Sequence, residues 1–497
     1  MNLLFRTDAS VAMGTGHVMR CLALAQAWVD AGGNATFAMA EATPSVEARL
    51  RIARVQVTRL AVSAGSAEDW SQTADLARAE NCGWVVVDGY QFSSEYQSAL
   101  RKAGVKVLFI DDNGEAAPYS ADLVLNQNLH ASEDLYRNRE PHTRLLLGPR
   151  YILLRREFSF WRTRKFEVAA RARRILVTLG GSDPENVTEQ VLEVLLAEPE
   201  LELTVVVGGS NPHLASLEAL AERAQRPLRL LKDVTDMPAL MIWADLAVAG
   251  AGTTSWEMCM MGLPAALCVL APNQEKIASE LARLGAAVNL DYVCRTPRRR
   301  TEGLLRELIR SEEMRTRMSA RGREIVDGRG VERVQAFLWG EPTLRRTVES
   351  DCKAFWEWAN DAGARAVSFA RETIPWERHM EWFRSRLTDP QSILYTAVNR
   401  QDEAVGMVRY QVEGTHAILS INLGAAYRGR GHGRKLLFLA TEELFGNTRV
   451  KFIDAFVRQT NQPSIRLFEG AGFRNMGVET VHGDQAIHYM LEKCMLP

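Results

Sequence analysis

Short apolar runs alternate with polar stretches of helix-compatible composition between residues 3 and 270 of the chain. The early runs are rich in β-branched and aromatic residues and lie at residues 3–5, 35–38, 84–88, 105–110 and 123–125. The first run leads through a glycine turn into residues 18–25, whose apolar positions repeat with helical spacing. This alternation predicts a βα unit at the start of the chain and a parallel sheet wrapped by helices.

The pattern restarts near residue 165, after a basic stretch. Its apolar runs lie at residues 174–179, 203–208, 246–249 and 265–270, and each is followed by a loop that contains glycine or proline. Ligands of such sheets bind at the carboxyl ends of the strands. A stretch rich in Arg and Glu then leads to Gly340 and Pro342, where the alternation stops. The sequence therefore predicts three domains, at residues 1–160, 161–341 and 342–497.

Composition agrees with several folded domains. The chain has 497 residues, which is too long for a single hydrophobic core. Hydrophobic residues make up 46% of it and charged residues 24%, as is usual for folded proteins. The formal net charge of -1 gives no long-range field that would attract nucleic acid or anionic lipid. No apolar run approaches the length of a membrane span, and Arg6 comes too early for a signal sequence. We therefore expect a cytoplasmic protein without nucleic-acid or membrane partners.

The cysteines are odd in number and scattered, without a C-x-x-C pair. This distribution argues against a disulfide framework and against a structural zinc site, so no metal is expected. The seven are Cys21, Cys82, Cys259, Cys268, Cys294, Cys352 and Cys494.

A glycine loop with a histidine lies at the first predicted strand-to-helix turn. Gly14 and Gly16 allow a ligand to approach the backbone, and His17 places an imidazole beside a helix N-terminus. The alternative is a tight turn whose histidine caps the helix. The turn thus marks a candidate site in the first domain.

Two further glycine loops follow strands of the second predicted domain, at residues 180–182 and 249–254. In the second loop, the amides of Gly252, Thr253 and Thr254 at a helix start suit a diphosphate, and Glu257 one turn later suits ribose hydroxyls. The alternative is that the threonines cap the helix and Glu257 completes a capping box.

Taken together and in order, several motifs resemble one family. They are Arg6-x-Asp8, the segment at residues 14–21, Leu-Gly-Pro-Arg-Tyr at 147–151, the segment at 179–184, and Ala251-Gly252-Thr253-Thr254-x-x-Glu257. Over about residues 1–335 the chain resembles the UDP-2,4-diacetamido-2,4,6-trideoxy-β-L-altropyranose hydrolases of pseudaminic acid biosynthesis. The resemblance implies an α/β fold with a GT-B-like pair of Rossmann-type domains. It also implies hydrolysis to UDP and the free sugar, without a metal, by water that attacks the anomeric carbon with inversion.

The resemblance assigns roles to individual residues. His17 matches the family's catalytic histidine, and an imidazole with an ordinary pKa of about 6.5 suits a base at neutral pH. Tyr90 and Asn273 match positions beside the sugar and the catalytic water, or else are a half-buried aromatic and a turn amide. Asp8 orients the imidazole or the water, or else only forms a turn. The residues expected to bind the substrate are Gly14, Gly16, Arg20, Gly181, Ser182, Gly252, Thr253, Thr254, Glu257 and Gln274.

The last predicted domain has its own strand, glycine loop and helix, with the strand at residues 417–423. The loop Arg428-x-x-Gly431-x-Gly433 and the segment at 461–473 resemble the two signatures of GNAT acetyltransferases. The resemblance implies an α+β GNAT domain that uses acetyl-CoA, with amides that hold its pyrophosphate. A basic surface turn is the alternative. The expected acetyl-CoA residues are Leu423, Arg428, Gly429, Arg430, Gly431, Gly433, Arg434 and Asn461.

One position departs from the superfamily pattern, because Phe468 replaces the tyrosine that often protonates the leaving thiolate. His379 is a candidate for the acceptor site, or else a packed or solvated helix histidine. The fusion indicates the acceptor, because N-acetylation of the 4-amino group of the UDP-linked sugar directly precedes the hydrolysis. Other enzymes of that pathway are candidate partners. The competing hypotheses are a GT-B glycosyltransferase and a nucleotide-sugar sensor joined to a protein acetyltransferase.

Overall fold

The computed structural model describes residues 2–10, 13–162, 164, 166–181, 183–198, 200–209, 211–224, 226–232, 234–339, 342–399, 403–429, 431–481 and 483–493. The chain divides into two compact units, Met1–Gln335 and Ala336–Pro497. This division lies close to the domain boundary that the sequence predicts after residue 341.

The first half of the first unit is built on a seven-stranded parallel sheet of order β3-β2-β1-β4-β5-β6-β7. Its elements are β1 (Asn2–Thr7), α1 (Gly16–Asp30), β2 (Asn34–Met39), α2 (Pro44–Ile52), β3 (Gln56–Arg59), α3 (Ala67–Ala79), β4 (Cys82–Asp88), α4 (Ser94–Lys102), β5 (Val107–Ile110), β6 (Leu123–Asn126) and β7 (Arg144–Leu147). The five strands predicted here are confirmed. The sequence analysis missed β3 and β7, which lie at the two edges of the sheet.

The order of this sheet reverses between β1 and β4. The chain first adds β2 and β3 on one side of β1 and then returns to place β4 on the other. In this register Thr7 lies opposite Asp88, so the loops that follow β1 and β4 leave the sheet side by side. Such a reversal point is where open α/β sheets bind their ligands.

The second half of this unit repeats the arrangement with a six-stranded parallel sheet of order β10-β9-β8-β11-β12-β13. Its elements are β8 (Arg174–Thr178), α5 (Val187–Leu196), β9 (Glu202–Val207), α6 (Leu214–Arg223), β10 (Leu228–Lys232), α7 (Met237–Trp243), β11 (Leu246–Gly250), α8 (Thr253–Met261), β12 (Ala265–Cys268), α9 (Glu275–Arg283), β13 (Val288–Asp291), α10 (Arg298–Arg310), α11 (Glu312–Ile325) and α12 (Gly330–Leu338). The predicted pair of Rossmann-type domains is confirmed.

The second unit is an α+β domain around a sheet of order β14-β15-β16-β17-β18-β20-β19, as predicted. Its elements are β14 (Thr343–Arg346), α13 (Cys352–Asn360), α14 (Ala362–Val367), α15 (Trp376–Thr388), β15 (Ser392–Val398), β16 (Ala404–Glu413), β17 (His416–Leu423), α16 (His432–Asn447), β18 (Phe452–Arg458), α17 (Gln462–Gly470), β19 (Arg474–Val481) and β20 (Asp484–Glu492).

Strands β17 and β18 pair in parallel over only a short stretch, His416 to Ile418 against Phe452 to Asp454. Strand β17 continues to Leu423 along β16, so it diverges from β18 towards its carboxyl end. Helix α16 packs on one face of this sheet through a cluster of buried apolar side chains. In the described parts of the chain, no helix is both long enough and apolar enough to span a bilayer.

Candidate active sites

His17 lies in the first turn of α1, directly above the reversal point of the first sheet. Helix α1 begins at Gly16, and Thr15 occupies its N-cap position without a capping side chain. The histidine does not cap the helix. Its Nδ1 lies 2.8 Å from Oδ1 of Asp88, at the end of β4. The imidazole is therefore held by the neighbouring strand.

Arg20 links His17 to a second carboxylate. Its Nε and Nη2 each donate to Asp88 at 2.6 Å, and its Nη1 donates to Oδ1 of Asp112 at 2.8 Å. Burial raises the pKa of Asp88, but Arg20 and His17 outweigh this effect and hold it below its ordinary value. The pKa of Asp112 is lowered in the same way, chiefly by Arg20. Both acids are thus fixed as carboxylates.

This arrangement fixes the tautomer of His17. An ionised Asp88 can only accept, so Nδ1 carries the proton and donates it to Oδ1. Nη2 of Arg20 lies 3.1 Å from Nδ1 and donates to Oδ1 of Asp88 at 2.6 Å. In the neutral imidazole, Nε2 then carries the lone pair that a general base requires.

Tyr90 and Asn273 meet across the cleft between the two halves. Nδ2 of Asn273 donates to the Tyr90 hydroxyl at 3.1 Å, and this hydroxyl donates to Oδ2 of Asp112 at 3.1 Å. The Tyr90 ring packs edge-on against His17, with 4.9 Å between the ring centroids. The structure thus brings together three of the four predicted catalytic residues.

Asp8 is the fourth, and it does not orient the imidazole. Its Oδ1 accepts from the backbone amides of Ala40 and Glu41, and its Oδ2 accepts from Arg6 and Gln91. None of these hydrogen bonds involves His17. The residue that holds the imidazole is Asp88, which the sequence analysis did not single out.

A cavity of about 560 Å³ opens beside this network. Its lining includes His17, Arg20, Asp88 and Tyr90, together with residues 91–95 and 115–118. The volume falls in the range of small-molecule sites.

The glycine loop after β8 lies close to the loop that precedes α1. Gly180 has a φ of +85°, and a side chain on Gly181 would stand 3.6 Å from Oγ1 of Thr15. The loop that carries Gly14, with a φ of +79°, thus faces the loop that carries Gly181. Ser182 lies outside the described residues.

The loop after β11 presents the start of α8. Gly252 is the N-cap and no side chain caps the helix, so the capping alternative for Thr253, Thr254 and Glu257 is wrong. The Gly252 amide is not free, because it donates to the Gly250 carbonyl at 2.8 Å. The amides of Thr253 and Thr254, in the first turn, are left for a ligand. Gln274 borders the same loop, with Nε2 4.0 Å from where a Gly252 side chain would begin.

Glu257 is buried and paired. Arg155 donates from Nε and Nη2 to Oε1 of Glu257, at 3.0 and 2.8 Å. Burial raises the pKa of Glu257 above its ordinary value, and Arg155 opposes this only in part. The sequence analysis did not anticipate this arginine, which occupies Oε1 of Glu257.

The glycine loop of the second unit adopts a conformation that favours glycine. Gly429 and Gly431 have φ values of +72° and +80°, and a side chain at either would meet open space. Gly431 is the N-cap of α16, no side chain caps it, and Gly433 follows in the first turn. Arg434 is exposed on that turn. Arg430 lies outside the described residues.

Arg428 supports this loop from within the protein. Its Nε donates to the carbonyl of Leu423 at 2.8 Å, and its Nη1 donates to Asp361 at 2.5 Å. Arg428, which was expected to contact acetyl-CoA, is thus already engaged by two partners within the protein. Asn461 caps α17 by accepting from the Ser464 amide at 3.2 Å.

Two further residues behave as packing residues. Phe468 is buried and stacks on Tyr489, with 5.9 Å between the ring centroids. His379 is buried, and its Nε2 lies 3.2 Å from the carbonyl of Cys352. The packed alternative for His379 is the one observed. Among the described residues, no three His, Cys, Asp or Glu side chains converge as a metal site would require.

Comparison with known proteins identifies two regions. Residues 353–473 match the model of the acetyltransferase (GNAT) family. Residues 174–328 match the C-terminal domain of glycosyltransferase family 28.

Full-length relatives extend these matches. An uncharacterized protein of Methanocaldococcus jannaschii is 24% identical over 491 residues, which cover 95% of this chain and 97% of that protein. The UDP-2,4-diacetamido-2,4,6-trideoxy-β-L-altropyranose hydrolase of Campylobacter jejuni is 26% identical over 299 residues, which cover 59% of this chain and all of that enzyme. The structure of Acinetobacter baumannii MurG aligns with a TM-score of 0.48 at 16% identity, over 68% of this chain and 99% of that protein. The resemblance predicted from the motifs is thus confirmed: this chain joins a region similar to that hydrolase to a region that matches the GNAT acetyltransferase family.

Proposed function

We propose that the first unit hydrolyses UDP-2,4-diacetamido-2,4,6-trideoxy-β-L-altropyranose to UDP and the free sugar. We also propose that the second unit acetylates the 4-amino group of the precursor UDP-amino sugar with acetyl-CoA. The observation that carries the first proposal is the contact between His17 and Asp88 at the reversal point of the first sheet, opposite two glycine loops.

Water activation follows from the held imidazole. Nε2 of His17 takes a proton as the water oxygen bonds to the anomeric carbon. Asp88 stabilises the imidazolium that forms, as a carboxylate partner does in other histidine bases. Tyr90 and Asn273, which share a hydrogen bond beside the imidazole, position the water and the sugar.

The leaving group is UDP, whose β-phosphate oxygen keeps the electron pair of the broken bond. The amides of Thr253 and Thr254 at the start of α8 hold the diphosphate, assisted by the helix dipole. Gln274 and the loop at Gly181 border the same space. Because water attacks from the face opposite UDP, the sugar is released with inverted configuration. These contacts neutralise the leaving group, so the proposal needs no metal.

Two features of the second unit support the proposed acetyl transfer. The glycine loop at residues 429–433 offers backbone amides to the pyrophosphate of coenzyme A. The divergence of β17 from β18 leaves a strand edge along residues 419–423 for the amides of the pantetheine arm. The amine attacks the thioester carbonyl near Leu423, the C–S bond breaks, and the thiolate of coenzyme A leaves. The amine gives up a proton to solvent, and solvent protonates the thiolate.

The hydrolase proposal is tested with the purified protein and the UDP-linked diacetamido sugar. We expect release of UDP and free sugar, unchanged by a chelator, with the inverted anomer seen first by NMR. Replacing His17 by Gln should lower kcat for UDP release by about 10²- to 10⁴-fold, the usual worth of a general base, while UDP still binds. Transfer of the sugar to an added acceptor instead of water would favour a glycosyltransferase. Binding without turnover would favour a sensor.

A further inference from the structure

Gln91 borders the cavity of the first unit but has no role in the hydrolysis as proposed above. It follows Tyr90 in the chain, and both residues line the cavity of about 560 Å³ that also contains His17. Gln91 is partly exposed, and its amide group lies against Gly89, where a side chain would begin 2.6 Å from Oε1 of Gln91. Gly89 stands between Asp88 and Tyr90, which both contact His17. The Gln91 amide is therefore next to the groups that hold the proposed base.

Asp8 sets the orientation of this amide. Nε2 of Gln91 donates to Oδ2 of Asp8 at 3.0 Å, and Nη1 of Arg6 donates to the same oxygen at 2.7 Å. A carboxylate that is paired with a guanidinium can only accept, so the atom of the amide that faces Asp8 is its nitrogen. The Arg6-x-Asp8 motif, which does not reach the imidazole, thus fixes which end of the Gln91 amide is its carbonyl.

The carbonyl Oε1 of Gln91 is an unused hydrogen-bond acceptor. It is buried, and it has no partner among the residues that the structure describes. Two nearby donors are already engaged, because the Tyr90 hydroxyl donates to Asp112 and Nδ1 of His17 donates to Asp88. A buried carbonyl oxygen without a donor is unfavourable. A ligand in the cavity that brings an N–H group to Oε1 removes this penalty.

The proposed substrate carries such an N–H group beside its anomeric carbon. Both acetamido groups are secondary amides with one N–H each, and the group at C2 is bonded to the carbon next to the anomeric centre. His17 acts at that centre, and the Gln91 amide lies against the segment that holds His17. The C2 substituent is therefore the part of the sugar that meets Gln91, whereas the C4 substituent is on the far side of the ring.

We infer that Oε1 of Gln91 accepts a hydrogen bond from the N–H of the 2-acetamido group, and that Gln91 makes the first unit select sugars with an N-acetyl group at C2. This inference rests on the proposed hydrolysis. Gln91 recognises the substituent and takes no part in proton transfer. Asp8 and Arg6 are positioning residues, because they act on the sugar only through the Gln91 amide.

The test compares the binding of two UDP-linked sugars to the His17→Gln protein by isothermal titration calorimetry. One is the diacetamido sugar, and the other is its analogue with an O-acetyl group at C2, which keeps the carbonyl and the methyl group but lacks the N–H. The diacetamido sugar should bind about 5- to 100-fold more tightly, the range for one hydrogen bond to a buried acceptor. Equal affinities would overturn the inference.

This comparison separates the inference from the proposed hydrolysis. It measures binding without turnover, so a preference for the N-acetyl sugar supports the inference even if the wild type releases no UDP, a result that would contradict the hydrolysis. If neither sugar binds, both are contradicted.

Gln91→Met in the same background tests whether Gln91 is the source of the preference. It removes the amide and keeps a side chain of similar length, so it should bind the two sugars about equally. Its affinity for UDP and for the O-acetyl analogue should not change, which a misfolded variant would not show. Gln72→Met is the matched control on the surface of α3, where Gln72 donates to Glu68 at 3.3 Å, and it should keep the full preference. A full preference in Gln91→Met would overturn the inference.

A third sugar tests the assignment to C2. The analogue with an O-acetyl group at C4 instead of C2 should bind the parent protein and Gln91→Met with the same affinity ratio to UDP. A ratio that changes with Gln91→Met for the C4 analogue and not for the C2 analogue would contradict the contact at C2.

Discussion

The imidazole Nδ1 of His17 and the carboxylate Oδ1 of Asp88 lie 2.8 Å apart, although 71 residues separate them in the sequence. They meet because β1 and β4 are neighbours at the reversal point of the first sheet. Arg20 holds the same carboxylate from the other side, at 2.6 Å. Asp88 is therefore the group that sets the orientation and the tautomer of the proposed base.

Replacing Asp88 by Asn should disable the base while leaving the nucleotide site intact. The neutral amide no longer stabilises the imidazolium and allows the wrong tautomer, so we expect kcat for UDP release to fall by about 10²-fold or more. UDP binding, measured by calorimetry, should not change. Asp75→Asn, which alters an exposed carboxylate of α3, is the matched control. An unchanged kcat in Asp88→Asn would rule out this role.

Acid should destabilise the first unit through Asp88 and Asp112. The pKa of each is held below its ordinary value in the folded protein, so the unfolded chain takes up these protons first as the pH falls. Their stabilising contribution is present above about pH 4 and is lost as the pH falls below it. Urea unfolding of the wild type and of Asp112→Asn between about pH 3 and pH 6 measures the difference. The variant should show the shallower pH dependence, and a steeper one would contradict the assignment.

The hydrogen bond between Tyr90 and Asn273 should couple the two halves of the first unit during hydrolysis. Tyr90→Phe and Asn273→Ala should each lower kcat/KM for UDP release, and the double variant should lose less than the product of the two effects. A coupling energy of about 0.5–1.5 kcal/mol is expected for one such bond. A double-mutant cycle measures it. Strict additivity would indicate that the bond observed at 3.1 Å does not act in catalysis.

The sequence predicted the loops that surround this site better than the side-chain contacts within it. The glycine loops and His17 carry local signals, because they recur at strand-to-helix turns, and the structure places them where the sheet order implies. Asp88 has no such signal: it is an acid that ends a buried strand, and its partner comes from another βα unit. Asp8, which has the more suggestive spacing beside Arg6, instead binds the backbone of Ala40 and Glu41.

The same limit applies to charges that the fold pairs at long range. Arg428 stands inside a recognisable loop motif, yet the fold directs it to the Leu423 carbonyl and to Asp361. Arg155 lies outside every motif, yet it occupies an oxygen of Glu257. Spacing along the chain specifies which loop binds a ligand, whereas the partners of a guanidinium depend on tertiary packing.

Replacing Gly431 by Ala should weaken acetyl-CoA binding. The φ of +80° strains an alanine by about 1–2 kcal/mol, so the loop distorts and KM for acetyl-CoA should rise by about 5- to 30-fold. Thiol release measures the change, and UDP release by the first unit should be unaffected. Gly446→Ala, within α16 and in open space, is the control and should be neutral or slightly stabilising. Equal KM values for both variants would contradict the proposed loop.

Consecutive acetylation and hydrolysis by one chain can be tested directly in a single incubation. The purified protein is mixed with UDP-4-amino-4,6-dideoxy-β-L-N-acetylaltrosamine, with and without acetyl-CoA, while thiol release and UDP release are followed together. We expect coenzyme A and UDP to form only when acetyl-CoA is present, with UDP appearing after coenzyme A. Release of coenzyme A without UDP would support the proposed acetyl transfer and would contradict the proposed hydrolysis.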